Sequence, residues 1–488
     1  MGAEENLWPG GARRSESSAA EALLAKIGEA EVELIYLQFT DVSGALKLVT
    51  IPASRLAACL ESGVWFDGSA VEGIARVAES DLYLRPDPST YALLPWEERP
   101  TARLICDLCL PDGSAFPADS RHALKSVLAE AEDLGFSYRV ATELEFFVFD
   151  DQPADRRLRR PTEFGISAAL VPIDGGGYFG VPDGRAARLC ASITRALDQI
   201  GFSVETTHHE VAPGQQEIDL AEMDALAAAD AIVTLKWAAR AYARQAGLLV
   251  SFMPKPFEEQ AGSGLHIQQV LAAHTTGADA FFDPAGQYQL STVGGNFIAG
   301  QLAHARGMCA IVAPLVNSYK RLTGHYEAPA RICWARTNRG ALVRVPEVTP
   351  NFWTRVEFRA ADPSCNPYLT LAVMLAAGLD GIRQTRPLPE PVEQPAHAGK
   401  AIDDQPDDKP RGGPDNADGA DDLGDESLVS PLPEMLDEAL EELDWDPIVR
   451  LALGQPIHER FLAAKEREWV AYRRHISQWE LTNYLEGA

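Results

Sequence analysis

The 488-residue sequence lacks a long apolar run, and no stretch approaches the ~20 residues that a membrane-spanning helix needs. Its start, MGAEENLWPGGARRSESSAA, has no apolar core, so we expect no secretory signal. Asn6 stands where a myristoylation signal requires Ser or Thr. Basic residues are also scarce, since 43 Lys and Arg accompany 71 Asp and Glu for a net charge of −28. A surface this acidic disfavours nucleic acid and anionic membranes as partners.

Cysteine is too rare for a disulfide framework, with seven residues in the whole chain. This usage predicts a reducing, cytoplasmic location. Cys106 and Cys109 form an isolated CxxC within the strand-like run ARLICDLCL. Positions three apart on a strand face opposite sides, so two small strand residues are a better interpretation than zinc or redox chemistry.

Local patterns predict two sheets of different size. Residues 1–18 are expected to form a disordered tail and residues 19–28 a helix, followed by two β-rich runs joined at Val42–Gly44 as a hairpin. The stretch 63–73, rich in Gly and small residues, is predicted to be a loop, and the run TARLICDLCL closes this small sheet near residue 112. These features define a predicted N-terminal domain, 19–112.

The remaining residues, 113–488, are predicted to form a larger domain. A helix, the tripeptide Gly-Phe-Ser and a carboxylate-bearing strand occur twice in order, with Gly135 and Gly201 ending the helices. This repeat indicates a second sheet backed by helices. Residues 387–430 are rich in Pro, Gly and Asp, and are predicted to be a flexible surface insertion. The C-terminus is predicted to be one long helix with an apolar stripe of Leu462, Trp469 and Ile476.

Paired acids are the main chemical signal in the sequence. Glu143 and Glu145 are two apart on a predicted strand, which places both on one face. A turn at Pro213-Gly214 predicts that Glu210 lies opposite Glu217, where like charges repel. Divalent cations such as Mg²⁺ or Mn²⁺ would relieve that repulsion. Glycosidase acid–base pairs are the rival use of such acids, but need only two carboxylates.

A Gly-rich segment and clustered arginines follow these acids. Gly262 and Gly264 allow close backbone approach to a ligand, and His266 follows at once. The planar guanidinium group of arginine can donate two parallel hydrogen bonds to the oxygens of a carboxylate or a phosphate. Metal-binding acids, a Gly-rich loop and clustered arginines together fit phosphoryl transfer, which depends on positioning and charge neutralisation.

The ordered motifs resemble the glutamine synthetase family of bacterial type I. They are FDGS at 66–69, ESD at 79–81, the ExE at 143–145, HHEVAPGQQE at 208–217, KP…GSGLH at 255–266, KRLTGHYEAP at 320–329, RTNRGALVRVP at 336–346, RVEFRAADPSCNPYL at 355–369 and the terminal WELTNYL. The resemblance implies an α+β fold with a small β-grasp-like N-terminal domain. It also implies a larger α/β catalytic domain, with an antiparallel sheet in a half-barrel backed by helices.

The resemblance also implies a chemistry, in which ATP phosphorylates the γ-carboxylate of L-glutamate and a nitrogen nucleophile displaces phosphate. Two cations, Mg²⁺ or Mn²⁺, would be held, one by Glu145, Glu210 and Glu217 and the other by Glu143, His266 and Glu357. Arg321, Arg339 and Arg359 would grip glutamate and the transferring phosphoryl group. Glu205, Arg344 and Arg355 would lie on the nucleotide side. Further implied site residues are Asp67 from an adjacent subunit, Tyr178 near the incoming nitrogen, the flap residue Glu327 and Gly262.

Several positions depart from the glutamine synthetase pattern. Ala70 replaces a Ser that lines the ammonium pocket, and Ala261 replaces an Asn associated with glutamate. Gln268 and Val270 stand where the family usually has His and Ser, and Phe352 replaces a Lys on the nucleotide side. The metal-ligand set and the glutamate-gripping arginines are intact, so the altered part is the nitrogen pocket. This pattern resembles the γ-glutamylamide ligases of the family, which use organic amines.

Two alternatives remain open from the sequence. Asp67 and Tyr178 suit a glutamine synthetase that uses ammonium, while Ala70 weakens that interpretation. The changes at Gln268, Val270 and Phe352 allow a non-catalytic structural or regulatory paralogue. In all three cases the resemblance implies a homo-oligomeric ring, a dodecamer of two hexamers, with active sites shared between subunits.

Overall fold

The computed structural model describes residues 13–71, 81–151, 172–181, 184–347, 353–393 and 429–487. The first part forms a small sheet with strand order β2-β1-β6-β4-β3, and β5 pairs with β6. Only β1 and β6 run parallel in it. Its strands are β1 (Leu34–Thr40), β2 (Leu46–Pro52), β3 (Val64–Asp67), β4 (Asp81–Pro86), β5 (Ala92–Leu93) and β6 (Thr101–Cys109).

Three sequence predictions can be compared with this sheet. The hairpin at Val42–Gly44 is confirmed, because Thr40 pairs with Leu46 across it. The prediction of a loop over 63–73 is wrong at its start: β3 forms there, and its exposed Trp65 alternates with buried Phe66. The predicted tail is wrong for residues 13–18, since the first helix begins at Arg13. Residues 1–12 lie outside the described residues.

The larger sheet has the strand order β12-β13-β14-β11-β7-β9-β8, with β10 pairing to β7. All of its pairs are antiparallel except the short β12·β13 pair. Its long central strand, β7, follows the first Gly-Phe step and is almost wholly buried. The strands are β7 (Phe136–Asp150), β8 (Val204–His209), β9 (Gln215–Asp224), β10 (Leu248–Ser251), β11 (Leu265–Ala273), β12 (Trp334–Ala335), β13 (Val343–Arg344) and β14 (Val356–Phe358).

Helices cover this sheet, and side-chain caps start several of them. Asp119 caps α3 through the Arg121 amide, and Asn366 caps α8 through the amides of Tyr368 and Leu369. The described helices are α1 (Arg13–Glu29), α2 (Leu56–Ser62), α3 (Ser120–Asp133), α4 (Gly184–Ile200), α5 (Ala225–Gln245), α6 (Thr292–Ala303), α7 (Ala305–Val312), α8 (Pro367–Arg383), α9 (Leu436–Trp445), α10 (Pro447–Leu453), α11 (Gln455–Arg474) and α12 (Gln478–Tyr484). None of them is both long enough and apolar enough to cross a membrane.

A buried ionic network joins the small sheet to helices of the larger domain. The Arg121 side chain, 3% exposed, lies 2.9 Å from Asp87 and 2.8 Å from Asp107 of the small-sheet region. It also lies 3.2 Å from Asp230 on α5. The Tyr368 hydroxyl donates to Asp230 over 2.6 Å. A guanidinium with three carboxylate partners satisfies charges that would otherwise be costly to bury.

The remaining predictions concern the C-terminal part. Residues 387–393 pack beside β12, where the Val392 amide donates to the Trp334 carbonyl, so the predicted flexible insertion is wrong for them. Residues 394–428 lie outside the described residues. The single long C-terminal helix is wrong as well, because α11 ends at Arg474 and Ser477 caps a new helix. Within the apolar stripe, Leu462 and Trp469 pack on the core, whereas Ile476 is 65% exposed.

Candidate active site

The antiparallel register of β7 and β9 concentrates acids on one face. Glu145 lies directly opposite Glu217, and Glu143 lies directly opposite Asp219. Because side chains alternate along a strand, all four carboxylates point to the same side of the sheet. Directly opposed like charges destabilise a strand pair. The face therefore carries an electrostatic cost that a bound cation would reduce.

Glu210 reaches this face differently from the prediction. The turn Ala212–Gln215 forms as predicted, with the Gln215 amide donating to the Ala212 carbonyl. The ladder beyond it is shifted by two residues, so His208 rather than Glu210 lies opposite Glu217. β8 ends at His209, the Glu210 amide beyond it donates to the Gln215 carbonyl, and Val211 lies in the loop. The predicted register is wrong because it assumed regular pairing up to the turn.

The second acidic group is Glu145, Glu210 and Glu217. Glu145 is buried and accepts from the Gln215 side-chain amide over 2.9 Å and from the Gly264 backbone over 3.0 Å. Burial and the nearby Glu210 raise the pKa of Glu145 to about 8. Burial, with Glu145 and Asp219 close by, raises the pKa of Glu217 to about 12. Glu210 hydrogen-bonds to Glu217, and carboxylate oxygens are the donors that Mg²⁺ and Mn²⁺ prefer.

Glu143, His266 and Glu357 form the other possible metal group, with ligand atoms all within 4.8 Å of one another. They come from three adjacent strands, and His266 pairs directly with Glu143. The His266 Nδ1 atom lies 3.1 Å from Glu143 and 4.0 Å from Glu357. Burial and then Arg359 lower the pKa of His266 well below its usual range. The ring is therefore neutral at physiological pH, the form that ligates metals.

Three of the predicted arginines surround these acids. Glu357 accepts from Arg344 over 3.0 Å and also from Arg359. Arg321 is buried and held in place by the backbone carbonyls of Arg359, Ala360 and Ala361. The Gly-rich segment fits tightly against it, because a Cβ on Gly264 would lie 2.5 Å from the Arg321 guanidinium. Positive charge is thus packed directly beside the carboxylate face.

A second group of predicted residues lies at the exposed rim. Arg339 is 3.5 Å from Glu327, and both side chains are more than half exposed. Tyr178 hydrogen-bonds to Arg339 and sits 4.1 Å, between ring centroids, from Phe179. The Phe179 ring lies 4.9 Å from the His208 imidazole. This aromatic cluster of Tyr178, Phe179 and His208 adjoins the acidic face, since His208 is 3.5 Å from Glu217.

Some predicted residues are not brought to the acids by the described contacts. Asp67 lies exposed at the end of β3, where it accepts hydrogen bonds from Ser69. Glu205 is exposed on β8. Arg355 donates to the side-chain oxygen of Gln268. The side chain of Ala70 and all of Phe352 lie outside the described residues.

Sequence reasoning missed two contributors on β9. Asp219 forms a further group of possible metal ligands with His208 and Glu217. Its position, two residues after Glu217 on a strand, was the available signal. Gln215, fully buried, joins Glu145 to the Gly262 carbonyl through its amide nitrogen. Ala261, by contrast, packs in an apolar cluster with Phe147 and Phe149.

Comparison with known proteins identifies the family. Residues 117–484 match the family model "Glutamine synthetase, catalytic domain", and residues 31–111 match "Glutamine synthetase, beta-Grasp domain". The chain belongs to the glutamine synthetase family. The glutamine synthetase of Thermus thermophilus is 42% identical over 473 residues, 96% of this chain and 98% of that protein. That of Mycolicibacterium smegmatis is 42% identical over 477 residues, 95% and 98% of the two chains.

Solved structures of the family share this fold. A GmaS/ADP complex has a TM-score of 0.80 at 28% identity, and GmaS without ligand has a TM-score of 0.78 at 29% identity. Each match covers 95% of this chain and 99% of the other. The predicted fold, a β-grasp N-terminal domain with a larger half-barrel catalytic domain, is confirmed. The protein is a carbon–nitrogen ligase of a family that depends on ATP, glutamate and divalent metal ions.

Proposed function

We propose that this glutamine synthetase family member joins L-glutamate to an organic amine. ATP would transfer its γ-phosphoryl group to the γ-carboxylate oxygen of glutamate. The amine nitrogen would then attack the γ-carbonyl carbon, inorganic phosphate would leave, and a carboxylate would accept the ammonium proton. The observation that carries this proposal is the aromatic cluster of Tyr178, Phe179 and His208 beside the acidic face.

The acidic face fits two divalent cations. Glu145, Glu210 and Glu217 would hold one Mg²⁺ or Mn²⁺, and Glu143, His266 and Glu357 the other. The fit rests on the donor chemistry: five carboxylates and one neutral imidazole suit these cations, which prefer oxygen and accept nitrogen. Bound cations would neutralise phosphate charge during phosphoryl transfer. The same binding would stabilise the ionised forms of Glu145, whose pKa is raised by burial and Glu210, and of Glu217, whose pKa is raised by burial and Glu145.

The chain's own residues would position the reactants around these ligands. Buried Arg321, with Arg359 and Arg339, would bind glutamate and the transferring phosphoryl group. The Gly262 backbone would approach glutamate closely. Glu205, Arg344 and Arg355 would contact the nucleotide. Glu327, at the exposed rim beside Arg339, would close over the site, and Asp67 of an adjacent subunit would approach the incoming nitrogen.

The acceptor pocket favours an amine that carries carbon. Phe179 is 66% exposed, so its ring offers apolar surface next to His208, which lies 3.5 Å from Glu217. Aromatic faces attract ammonium groups and also contact alkyl chains. Carboxylates beside such rings would bind the charged end of the same molecule. Ala70, where glutamine synthetases have Ser, removes a hydroxyl group from the predicted ammonium pocket.

The solved relatives support the same acceptor class. Both are GmaS proteins, and the name stands for gamma-glutamylmethylamide synthetase. Against this, the relatives at 42% identity are named glutamine synthetase. That observation keeps a glutamine synthetase that uses ammonium as the second candidate.

An acceptor panel separates the two candidates. Purified protein receives ATP, Mg²⁺ and L-glutamate with ammonium, methylamine, ethanolamine, isopropylamine, aniline or a polyamine, and phosphate release and product mass are measured. The proposal predicts that at least one organic amine has a higher kcat/KM than ammonium. If ammonium is the best acceptor and no amine exceeds background, the protein is a glutamine synthetase.

Assembly forms part of the same proposal. From the family resemblance we expect a ring of identical subunits, a dodecamer of two hexamers, in which Asp67, whose described contacts are with Ser69, would approach the site of a neighbouring subunit. Light scattering of the purified protein measures this directly. A monomer with full activity would contradict the shared site.

A further inference from the structure

Gln268 contacts both Glu143, a proposed metal ligand, and Arg355, a proposed nucleotide contact. Its side-chain nitrogen donates to the Oε1 atom of Glu143, in the possible metal group. Its side-chain oxygen accepts from Nη1 of Arg355 over 2.5 Å. A carboxylate only accepts and a guanidinium only donates, so the orientation of the amide is fixed by its two partners.

The strand register explains why this residue reaches both partners. Gln268 follows His266 by two positions on β11 and shares its face. Its direct neighbours across the sheet are Ala141 on β7 and Glu357 on β14. Ala141 has only a methyl group there, which leaves room for the longer side chain to lean toward Glu143.

We infer that Gln268 is a positioning residue, a neutral spacer that holds Arg355 and Glu143 in place without letting them form an ion pair. A direct pair would neutralise the carboxylate needed for a cation and the guanidinium needed for phosphate. The amide gives each partner one hydrogen bond and leaves each its charge. This inference rests on the proposed function for the nucleotide role of Arg355.

His266 and Gln268 together leave lone pairs of the Glu143 carboxylate available for a cation. His266 contacts the Oε2 atom of Glu143 over 3.1 Å, and Gln268 takes one lone pair of Oε1. Each carboxylate oxygen has two lone pairs, so both keep one available. Groups that hold metal ligands in this way commonly change metal affinity ~10- to 100-fold when removed.

Two substitutions separate the spacer role from a packing role. Gln268→Met keeps the length of the side chain and removes both hydrogen bonds. We expect it to weaken Mn²⁺ binding and ATP binding together, each about 10-fold. Gln268→Glu places a carboxylate against Arg355. We expect it to weaken ATP binding about 10-fold while Mn²⁺ binding stays within two-fold or tightens.

The neighbouring Gln269→Met is the matched control. Gln269 is fully buried on the opposite face of β11, bonded to Tyr138 and Gln301. We expect this variant to lower the thermal midpoint and leave Mn²⁺ and ATP affinities within two-fold. If Gln268 served only in packing, all three variants would show the same pattern of changes in thermal midpoint, Mn²⁺ affinity and ATP affinity.

The experiment uses the full chain and measures binding, not turnover. Mn²⁺ is titrated by electron paramagnetic resonance, and ATP is titrated by calorimetry with Mn²⁺ present and glutamate absent. Gln268→Met with wild-type affinities for both ligands overturns the inference. So does Gln268→Glu with wild-type ATP affinity. If the wild-type chain binds neither Mn²⁺ nor ATP, the proposed function and this inference both fail. The amine panel tests only the choice of acceptor, so its result does not change the interpretation of these binding data.

Discussion

Glu145 on β7 lies directly opposite Glu217 on β9, so two buried carboxylates face each other across one antiparallel strand pair. Burial and the nearby Glu210 raise the pKa of Glu145 to about 8, and burial and the nearby Glu145 raise the pKa of Glu217 to about 12. In the folded chain the two groups hold protons to higher pH than ordinary glutamates do. The contribution of each group to stability is therefore full below pH ~4.5; that of Glu145 is lost as the pH rises through about 8, and that of Glu217 as it rises through about 12.

Because of this linkage, we expect the stability to depend on pH without divalent cations, and we expect bound cations to remove that pH dependence. The free energy of unfolding, measured by urea titration in EDTA, should fall between pH 5 and 8. Millimolar Mg²⁺ should flatten that slope, because cations stabilise the ionised carboxylates. Glu145→Gln should also reduce the slope in EDTA. The control, Glu222→Gln, lies on the same β9 strand but pairs with Arg139, and should leave the slope unchanged. Equal slopes in EDTA and Mg²⁺ would contradict the account.

The Gly-rich segment should not tolerate a side chain at Gly262. An added Cβ would lie 2.4 Å from the Pro254 carbonyl oxygen and 3.2 Å from Arg321. Gly262→Ala should cost about 1–3 kcal/mol of unfolding free energy and raise the KM for glutamate. Gly28→Ala is the control, since nothing lies within 4 Å of a Cβ there. That substitution near the end of α1 should be neutral or stabilising by up to about 1 kcal/mol. Equal effects of the two changes would argue against a tight loop.

The Arg121 network should stabilise the junction between the small sheet and the helices of the larger domain. Arg121→Met removes the cation from three carboxylates and should lower the free energy of unfolding by about 3–5 kcal/mol. Arg139→Met removes a more exposed cation, whose partners are Glu222 and Asp224, and should cost less than about 1 kcal/mol. Denaturant unfolding of both variants measures the difference. A loss for Arg121→Met no larger than for Arg139→Met would mean that the network contributes little.

The aromatic cluster should influence acceptor choice. Phe179→Ala removes apolar contact worth ~0.8 kcal/mol per CH₂ group of the acceptor. We expect kcat/KM to fall about 15- to 60-fold for an amine with two or three methylene groups, and to stay within about two-fold for ammonium. Phe282→Ala, which changes an exposed phenylalanine outside the cluster, should alter neither value. If kcat/KM fell equally for ammonium and for amines, Phe179 would have no role in acceptor recognition.

Much of the fold follows from local sequence patterns. The repeated helix, Gly-Phe step and strand predicted α3–β7 and α4–β8, because capping residues and glycine stops act over a few residues. The spacing of Glu143 and Glu145 predicted a shared face for the same reason. Such features depend on neighbours in the chain and not on distant packing.

Other features depended on details that spacing alone does not contain. The two-residue shift in the β8·β9 register placed Glu210 opposite Gln215 instead of Glu217, and the position of the turn did not determine the length of the loop. The break before α12 had a local signal, since Ser477 and Glu480 form a capping box, but the seven-residue apolar stripe obscured it. The contacts of Gln268 join residues 125 and 87 positions apart, so only the tertiary structure brings them together.

Isotope transfer tests the proposed activation of glutamate most directly. L-glutamate labelled with ¹⁸O in its γ-carboxylate is incubated with the protein, ATP, Mg²⁺ and the best acceptor, and the released phosphate is analysed by mass spectrometry. Because displacement leaves a carboxylate oxygen on phosphorus, the account predicts one ¹⁸O atom in each phosphate. Phosphate released without ¹⁸O would show that glutamate is never phosphorylated and would contradict the account.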